Sequence, residues 1–148
     1  MSIASIVVAD SDTATAMGSG DVPVLATPRL LALAEAAAVA AITPGLDPGL
    51  TSVGTSAALE HKRPSPVGAE VEVEAELTEV DGRRLVFRFI ARQKPPAGSP
   101  GDPAGSPGDG DGDGDGDTVV GAGTMERVLV DREHFVSRAR RQATGAGG

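Results

Sequence analysis

The chain has 148 residues and no cysteine, which removes disulfides, thiolate metal sites and a cysteine nucleophile from consideration. Aromatic residues are nearly absent: there is no tryptophan or tyrosine, and the phenylalanines are Phe87, Phe89 and Phe135. A platform for stacking bases or sugars therefore has little to be built from. Positive charge is also scarce. With 13 Lys and Arg against 21 Asp and Glu, the formal net charge is −8, which argues against nucleic acid and anionic membrane surfaces as partners. No apolar run reaches the length needed to cross a bilayer. No basic region precedes the short N-terminal apolar run, so no signal peptide is expected and a cytoplasmic protein is the default. The two histidines, His61 and His134, have no neighbours at metal-ligand spacing, so no metal site is expected.

What the sequence does have is one strong helix, Leu25 to Ile42. Thr27 reads as an N-cap and Pro28 as the first helical residue, where a missing N–H costs nothing. Pro44-Gly45 stops the helix. Six alanines between Ala34 and Ala41 keep it slim enough for a sheet to wrap closely around it. Leu31, Ala38 and Ile42 share a stripe at helical spacing, with Glu35 in the middle of it. A carboxylate on an apolar face must find a hydrogen-bond partner, shift its pKa, or line a cavity.

Around this helix the sequence reads as strands. Ile3–Val8 is the first, and Thr51–His61 the second, ended by Lys62-Arg63-Pro64-Ser65-Pro66. Ala69–Val80 alternates, with Val71, Val73, Ala75 and Leu77 on one face and Glu70, Glu72, Glu74 and Glu76 on the other. After Asp81-Gly82, Leu85, Phe87, Phe89 and Ala91 form one face of the return strand, and Arg84, Arg88 and Arg92 the other. A three-residue turn with a glycine bulge pairs even positions with even, and so sets the Glu row beside the Arg row as a solvated ladder. Lys94–Asp117 differs in kind: it holds 8 of the 20 glycines and no apolar side chain larger than alanine, and reads as a disordered hairpin insertion. Its Asp-Gly repeat is not a calcium loop, because counting from Asp109, Asp111 or Asp113 the twelfth residue is Val120, Ala122 or Thr124 rather than Glu. Thr118–Val130 resumes the sheet, with Gly121 and Gly123 marking a bulge or sharp bend. Asp131 then caps a terminal helix, Arg132–Arg141, before a disordered tail from 142 to 148. The order implies one α+β domain over residues 1–141, with a long helix packed on an antiparallel sheet.

In sequence order, Ala26-Thr27-Pro28, Glu35, Ser52-Val53-Gly54-Thr55, Glu60-His61 and Pro64-Ser65-Pro66-Val67-Gly68 form a pattern. It continues through Leu77-Thr78-Glu79-Val80-Asp81-Gly82-Arg83-Arg84-Leu85 and Gly123-Thr124-Met125-Glu126-Arg127. The pattern resembles the hotdog-fold acyl-CoA thioesterases, in particular the fluoroacetyl-CoA thioesterase family. The resemblance implies a hotdog fold, a homodimer or tetramer with the acyl pocket between subunits, and no cofactor beyond the CoA thioester that is the substrate. It also implies that Thr27, Glu35 and His61 are the catalytic trio, that Gly54 lies at the thioester carbonyl, and that Arg127 lies near the site. Met125 departs from the family, which often has His there. No aromatic precedes Phe87, where the fluoroacetyl-specific enzyme has an aromatic lid, and this argues against fluoroacetyl specificity.

In that frame His61 is a base held by Glu35, while Thr27 is either a covalent nucleophile or a water-positioner. Backbone around Gly54 can approach the carbonyl oxygen because no side chain intervenes. Outside that frame, Thr27 is explained as a cap, His61 as a surface residue, Gly54 as a bulge and Arg127 as half of a solvent-facing ion pair. Lys62 and Arg63 read as a solvated basic turn, with coenzyme A phosphates as the functional alternative. Along one helix Thr27 and Glu35 are about 12 Å apart, at about 1.5 Å per residue, so a site shared between subunits fits better than one within a chain. The rival functions are a noncatalytic acyl-CoA-binding hotdog module and an enoyl-CoA hydratase or dehydratase.

Overall fold

A computed structural model of the chain describes residues 1–96 and 116–143. Strand β1 (Ser2–Val7) leads through a short helix α1 (Ala14–Met17) to the long helix α2 (Thr27–Ile42). Strands β2 (Leu50–His61), β3 (Glu70–Asp81), β4 (Arg84–Gln93) and β5 (Thr118–Asp131) follow, and helix α3 (Arg132–Ala143) ends the described chain. The five strands form one antiparallel sheet in the order β1-β3-β4-β5-β2. This is the α+β arrangement that the sequence implies.

The alternation in β3 and β4 sets the core. Val71, Val73 and Ala75 face inward beside Leu85, Phe87, Phe89 and Ala91, and all seven are buried. Leu30, Leu33, Ala34, Ala37 and Ala38 form the face of α2 in the same apolar cluster. Two fully buried phenylalanines each contribute roughly 2–3 kcal/mol of burial, so β4 is the strand the core depends on most. The stripe that carries Glu35 is the flank of this face rather than its centre. Leu31 and Ile42 are only half-buried, and the Glu35 side chain is 44% exposed.

The turn between β3 and β4 corrects the expected three-residue loop. Asp81 pairs with Arg84 across a two-residue turn, with Gly82 at φ +61°, the position where a II′ hairpin takes glycine. The extra residue lies instead within β3, between Leu77 and Glu79. Beyond it even pairs with even, so Glu76 faces Arg88 at 2.7 Å and the charged rows do lie side by side. In β5 the register shifts opposite Ala91 and Arg92, at Val120. Gly123 is required by close approach: a Cβ there would lie 2.0 Å from the Ala58 carbonyl oxygen and 2.8 Å from the Phe89 ring.

Gln93 pairs with Thr118, and the Lys94 ammonium meets the buried Asp117 carboxylate at 3.0 Å, so the arms of the β4–β5 hairpin are joined at the base of the insertion. Most of that insertion, and the tail from 144, lie outside the described residues. Asp131 caps α3 as expected, accepting from the His134 N–H at 2.9 Å, and the helix runs two residues beyond Arg141. Among the described residues, no helix is long and apolar enough to cross a membrane.

Candidate active site

The first turn of α2 places Thr27. Helical hydrogen bonding begins from the Ala26 carbonyl, so Ala26 is the N-cap, Thr27 the first helical residue and Pro28 the second. The expected Thr27 cap is therefore not made, and its hydroxyl is free for another partner. That partner is His61, at the end of β2: Thr27 Oγ1 lies 2.8 Å from His61 Nδ1. Burial pushes the His61 pKa below its ordinary 6.5, and the nearby backbone of Arg63 pulls more weakly the other way. The imidazole is neutral at pH 7 and able to accept a proton. Its Nε2 is buried and has no hydrogen-bond partner among the described residues. A cavity of about 380 Å³ opens beside the pair, between the α1 loop around Gly20 and the basic turn at Lys62 and Arg63.

Two turns further along α2, a second cluster surrounds Glu35. Arg127 of β5 is only 6% exposed and donates three bonds. Its Nη1 reaches Glu35 Oε2 at 3.1 Å, Nε reaches Ser52 Oγ at 2.8 Å, and Nη2 reaches the Ser52 carbonyl at 3.0 Å. A buried guanidinium needs this number of acceptors to offset its desolvation. Gly54 lies opposite Arg127 in the β2–β5 register, and a Cβ on it would come within 2.7 Å of Glu35 Oε2. The strand bulge is at Thr55, next to Gly54 rather than on it. Beside this cluster is a smaller cavity of about 210 Å³, lined by Leu31, Glu35, Gly54, Ala57 and Met125 among others.

Within one chain, then, the residues form two groups: Thr27 with His61, and Glu35 with Gly54 and Arg127. Within the chain Glu35 is bonded to Arg127, and His61 to Thr27. Arg127 corrects the reading of a solvent-facing residue. Among the described residues, no group of three His, Asp or Glu side chains is placed to hold a metal ion.

Comparison with known proteins assigns the family. The family model for fluoroacetyl-CoA-specific thioesterase matches residues 8–96. The fluoroacetyl-CoA thioesterase of Streptantibioticus cattleyicolor is 36% identical over 124 residues, covering 84% of this chain and 73% of that protein. The chain belongs to the fluoroacetyl-CoA-specific thioesterase family. A phenylalanine-to-alanine variant of fluoroacetyl-CoA-specific thioesterase, solved with fluoroacetate and CoA, superposes with a TM-score of 0.74 at 29% identity, covering 95% of this chain and 97% of that one. A hot-dog-like protein from Thermanaerovibrio acidaminovorans shares the fold, with a TM-score of 0.72 at 21% identity over 95% and 87% of the two chains.

Ser52, which accepts two of the Arg127 bonds, belongs to the Glu35 cluster of this thioesterase-family chain and was not singled out from the sequence. The signal was strand parity: Ser52 and Gly54 lie on the same face of β2, and Gly54 is paired with Arg127. Parity also places Arg127 on the inward face with Met125, both of them buried.

Proposed function

We propose that the chain hydrolyses a short- or medium-chain acyl-CoA to the free acid and CoA, with Thr27, His61 and Glu35 doing the chemistry. The observation that carries this reading is the 2.8 Å contact between the Thr27 hydroxyl and a neutral, half-buried imidazole. That is the arrangement by which a base activates a hydroxyl, or a water held in its place, for attack on a carbonyl carbon. His61 Nδ1 takes the proton of the attacking O–H, the tetrahedral oxyanion collapses with cleavage of the C–S bond, and the imidazolium gives its proton to the departing CoA thiolate. Attack by water yields the free acid directly; attack by Thr27 yields an acyl-threonine ester, which a water activated by the same base then hydrolyses to the free acid. The Gly54 backbone, bare of side chain, lies where the carbonyl can approach, and Arg127 fixes the Glu35 carboxylate beside it. Leu31, Ala57 and Met125 give the cavity at Glu35 an apolar wall, and its small volume suits a short acyl chain. No cofactor takes part in this reading, because the thioester itself is the activated group.

The same proposal places the site between two copies of the chain. Strand β2 is a sheet edge whose exposed run Gly54-Thr55-Ser56-Ala57-Ala58 has neither lysine nor proline to block pairing. When Nδ1 accepts from Thr27, Nε2 carries the hydrogen and has no acceptor in its own chain among the described residues. That role falls to the Glu35 carboxylate of a second copy, reached when the groups that cover Nε2 move aside. Such a dimer also removes the separation between Thr27 and Glu35 on one helix. A cytoplasmic location completes the proposal, in keeping with a cysteine-free acidic chain.

The test is release of free thiol from acetyl-, fluoroacetyl-, butyryl-, octanoyl- and phenylacetyl-CoA, with Glu35→Gln alongside. Turnover by the parent protein that disappears in the variant is expected. A folded protein that binds these esters and releases no thiol would instead be a binding module.

A further inference from the structure

We infer that Asp12 is a positioning residue for the hydrolysis: with Arg29 it clamps the first turn of α2 and so keeps the Thr27 hydroxyl on His61. This inference deepens the thioesterase reading and rests on it. The need for a clamp arises at the start of the helix. A threonine at such a place ordinarily gives its oxygen to an orphan helical N–H. Here Thr27 Oγ1 meets His61 Nδ1 instead, at 2.8 Å, and the N-cap residue, Ala26, has no side chain that can accept a bond. A helix end without a cap frays, and fraying would carry the hydroxyl away from the imidazole.

Asp12 holds this end from outside the helix. It closes the turn Asp10–Asp12 that follows β1, and it grips the residues on both sides of Thr27. Its carbonyl accepts from the Ala26 N–H at 2.9 Å, and its Oδ1 accepts from Arg29 Nε at 2.8 Å. Oδ2 accepts from the Ala9 N–H at 2.8 Å, so both carboxylate oxygens are engaged and the side chain has one direction. The Ala9 N–H and the Arg29 guanidinium hold the carboxyl below its ordinary 3.8, and it is an anion at neutral pH, next to the positive end of α2. The Asp12 side chain is only 14% exposed, which sets this pair apart from the solvated ladder on β3 and β4.

The wall that faces Thr27 is fixed separately. The Lys62 and Arg63 N–H groups both donate to the Val120 carbonyl of β5, at 2.7 and 3.2 Å, directly after His61. With the imidazole anchored by the sheet, its distance from Thr27 is set by where the first turn of α2 sits. Thr13 bridges to Leu25 through the backbone, so loss of the Asp12 side chain loosens that turn without detaching it.

The experiment measures thiol release and thermal melts for the full-length parent, Asp12→Ala, Arg29→Met and Arg29→Lys. The His61 ring is titrated by NMR in each, with His134 as internal reference. Asp12→Ala and Arg29→Met should each lower kcat about tenfold with KM changed by less than about twofold, and Arg29→Lys, which returns a donor to Asp12, should recover most of the loss. The His61 pKa should rise in Asp12→Ala and Arg29→Met, as in Thr27→Ala, because a hydroxyl donating to Nδ1 favours the neutral ring. In a Thr27→Ala background neither substitution should raise it further. Parental kcat in both Asp12→Ala and Arg29→Met would overturn the inference. So would an Arg29→Lys variant no more active than Arg29→Met, or a His61 shift that adds in full to that of Thr27→Ala, either of which would make the pair merely structural. If Asp12→Ala does not fold, Arg29→Met decides by the same readings. If the parent releases no thiol, the thioesterase reading fails and the His61 titration decides alone: a shift shared with Thr27→Ala supports the clamp, and no shift overturns it.

Discussion

Gly54→Ala is a one-carbon perturbation whose consequence follows from the geometry. The new Cβ would lie 2.7 Å from Glu35 Oε2 and 3.4 Å from Arg127 Nη1, and 3.4 Å is where ordinary contact begins. Arg127 is therefore at the limit of contact, while the Glu35 carboxylate or the Gly54 backbone must give way by about 0.7 Å. Arg127 is held by Ser52 through two further bonds, at 2.8 and 3.0 Å, whereas Glu35 is 44% exposed and free to swing outward. The carboxylate therefore moves, and its 3.1 Å bond to Arg127 lengthens or breaks. Because the pair is partly solvated, the cost in stability should be only about 1 kcal/mol. Activity should fall much further, by about 10²-fold in kcat/KM, the usual penalty for a catalytic group displaced by about 1 Å. The assay is thiol release beside a thermal melt, with Gly82→Ala as the control. Gly82 has φ +61° in the β3–β4 turn, so that variant should lose about 1 kcal/mol of stability and no activity. A Gly54→Ala protein with parental kcat/KM would refute the placement of Glu35 at the reacting centre.

Other expectations test other links. Gly123→Ala puts a Cβ 2.0 Å from a backbone oxygen that cannot swing away, so β2 and β5 must separate locally. A loss of about 3 kcal/mol is expected, seen as a Tm about 10 °C lower, and an unchanged melt would contradict the close strand approach. For His61, burial holds the folded pKa below 6.5, so the unfolded chain binds more protons in the window between the two values. Stability attached to this group is present above pH 6.5 and is lost as pH falls through the folded value. The acid limb of kcat/KM should likewise lie below pH 6.5, and a limb above it would contradict a desolvated base. Glu35→Gln should keep the melt near that of the parent while abolishing thiol release.

Much of this molecule is legible in its sequence, and the failures have identifiable physical causes. The alternation of apolar and charged residues gives the faces of β3 and β4 correctly, because a period of two leaves little freedom once one face is buried. Parity also gives the net even-to-even offset. It does not say where the extra residue sits, and the structure puts it between Leu77 and Glu79 instead of in the turn. Thr27-Pro28 satisfies the rule for a helix cap, yet the hydroxyl bonds His61, a partner 34 positions away that no local rule considers. Arg127 shows two rules in conflict. Residue type placed it in solvent and strand parity placed it inward, and parity prevailed because Ser52 and Glu35 supply acceptors there. The stripe of Leu31, Glu35, Ala38 and Ile42 is the flank of the buried face, which the sequence alone does not show because helical period fixes relative angles and not which residue faces the sheet. The trio itself came from the family pattern, and the contacts that divide it into two clusters could not be read from spacing.

Complementation between inactive variants tests the central claim most directly. Thr27→Ala and Glu35→Gln chains, each expected to be inactive alone, are unfolded together, refolded as a mixture and assayed for thiol release. If the site takes Thr27 and His61 from one copy and Glu35 from the other, each mixed dimer has one intact site and one carrying both lesions. Random pairing should then restore roughly a quarter of parental turnover. If all three residues act within one chain, every site in the mixture carries a lesion and turnover stays at the level of the separate variants, which would contradict the account.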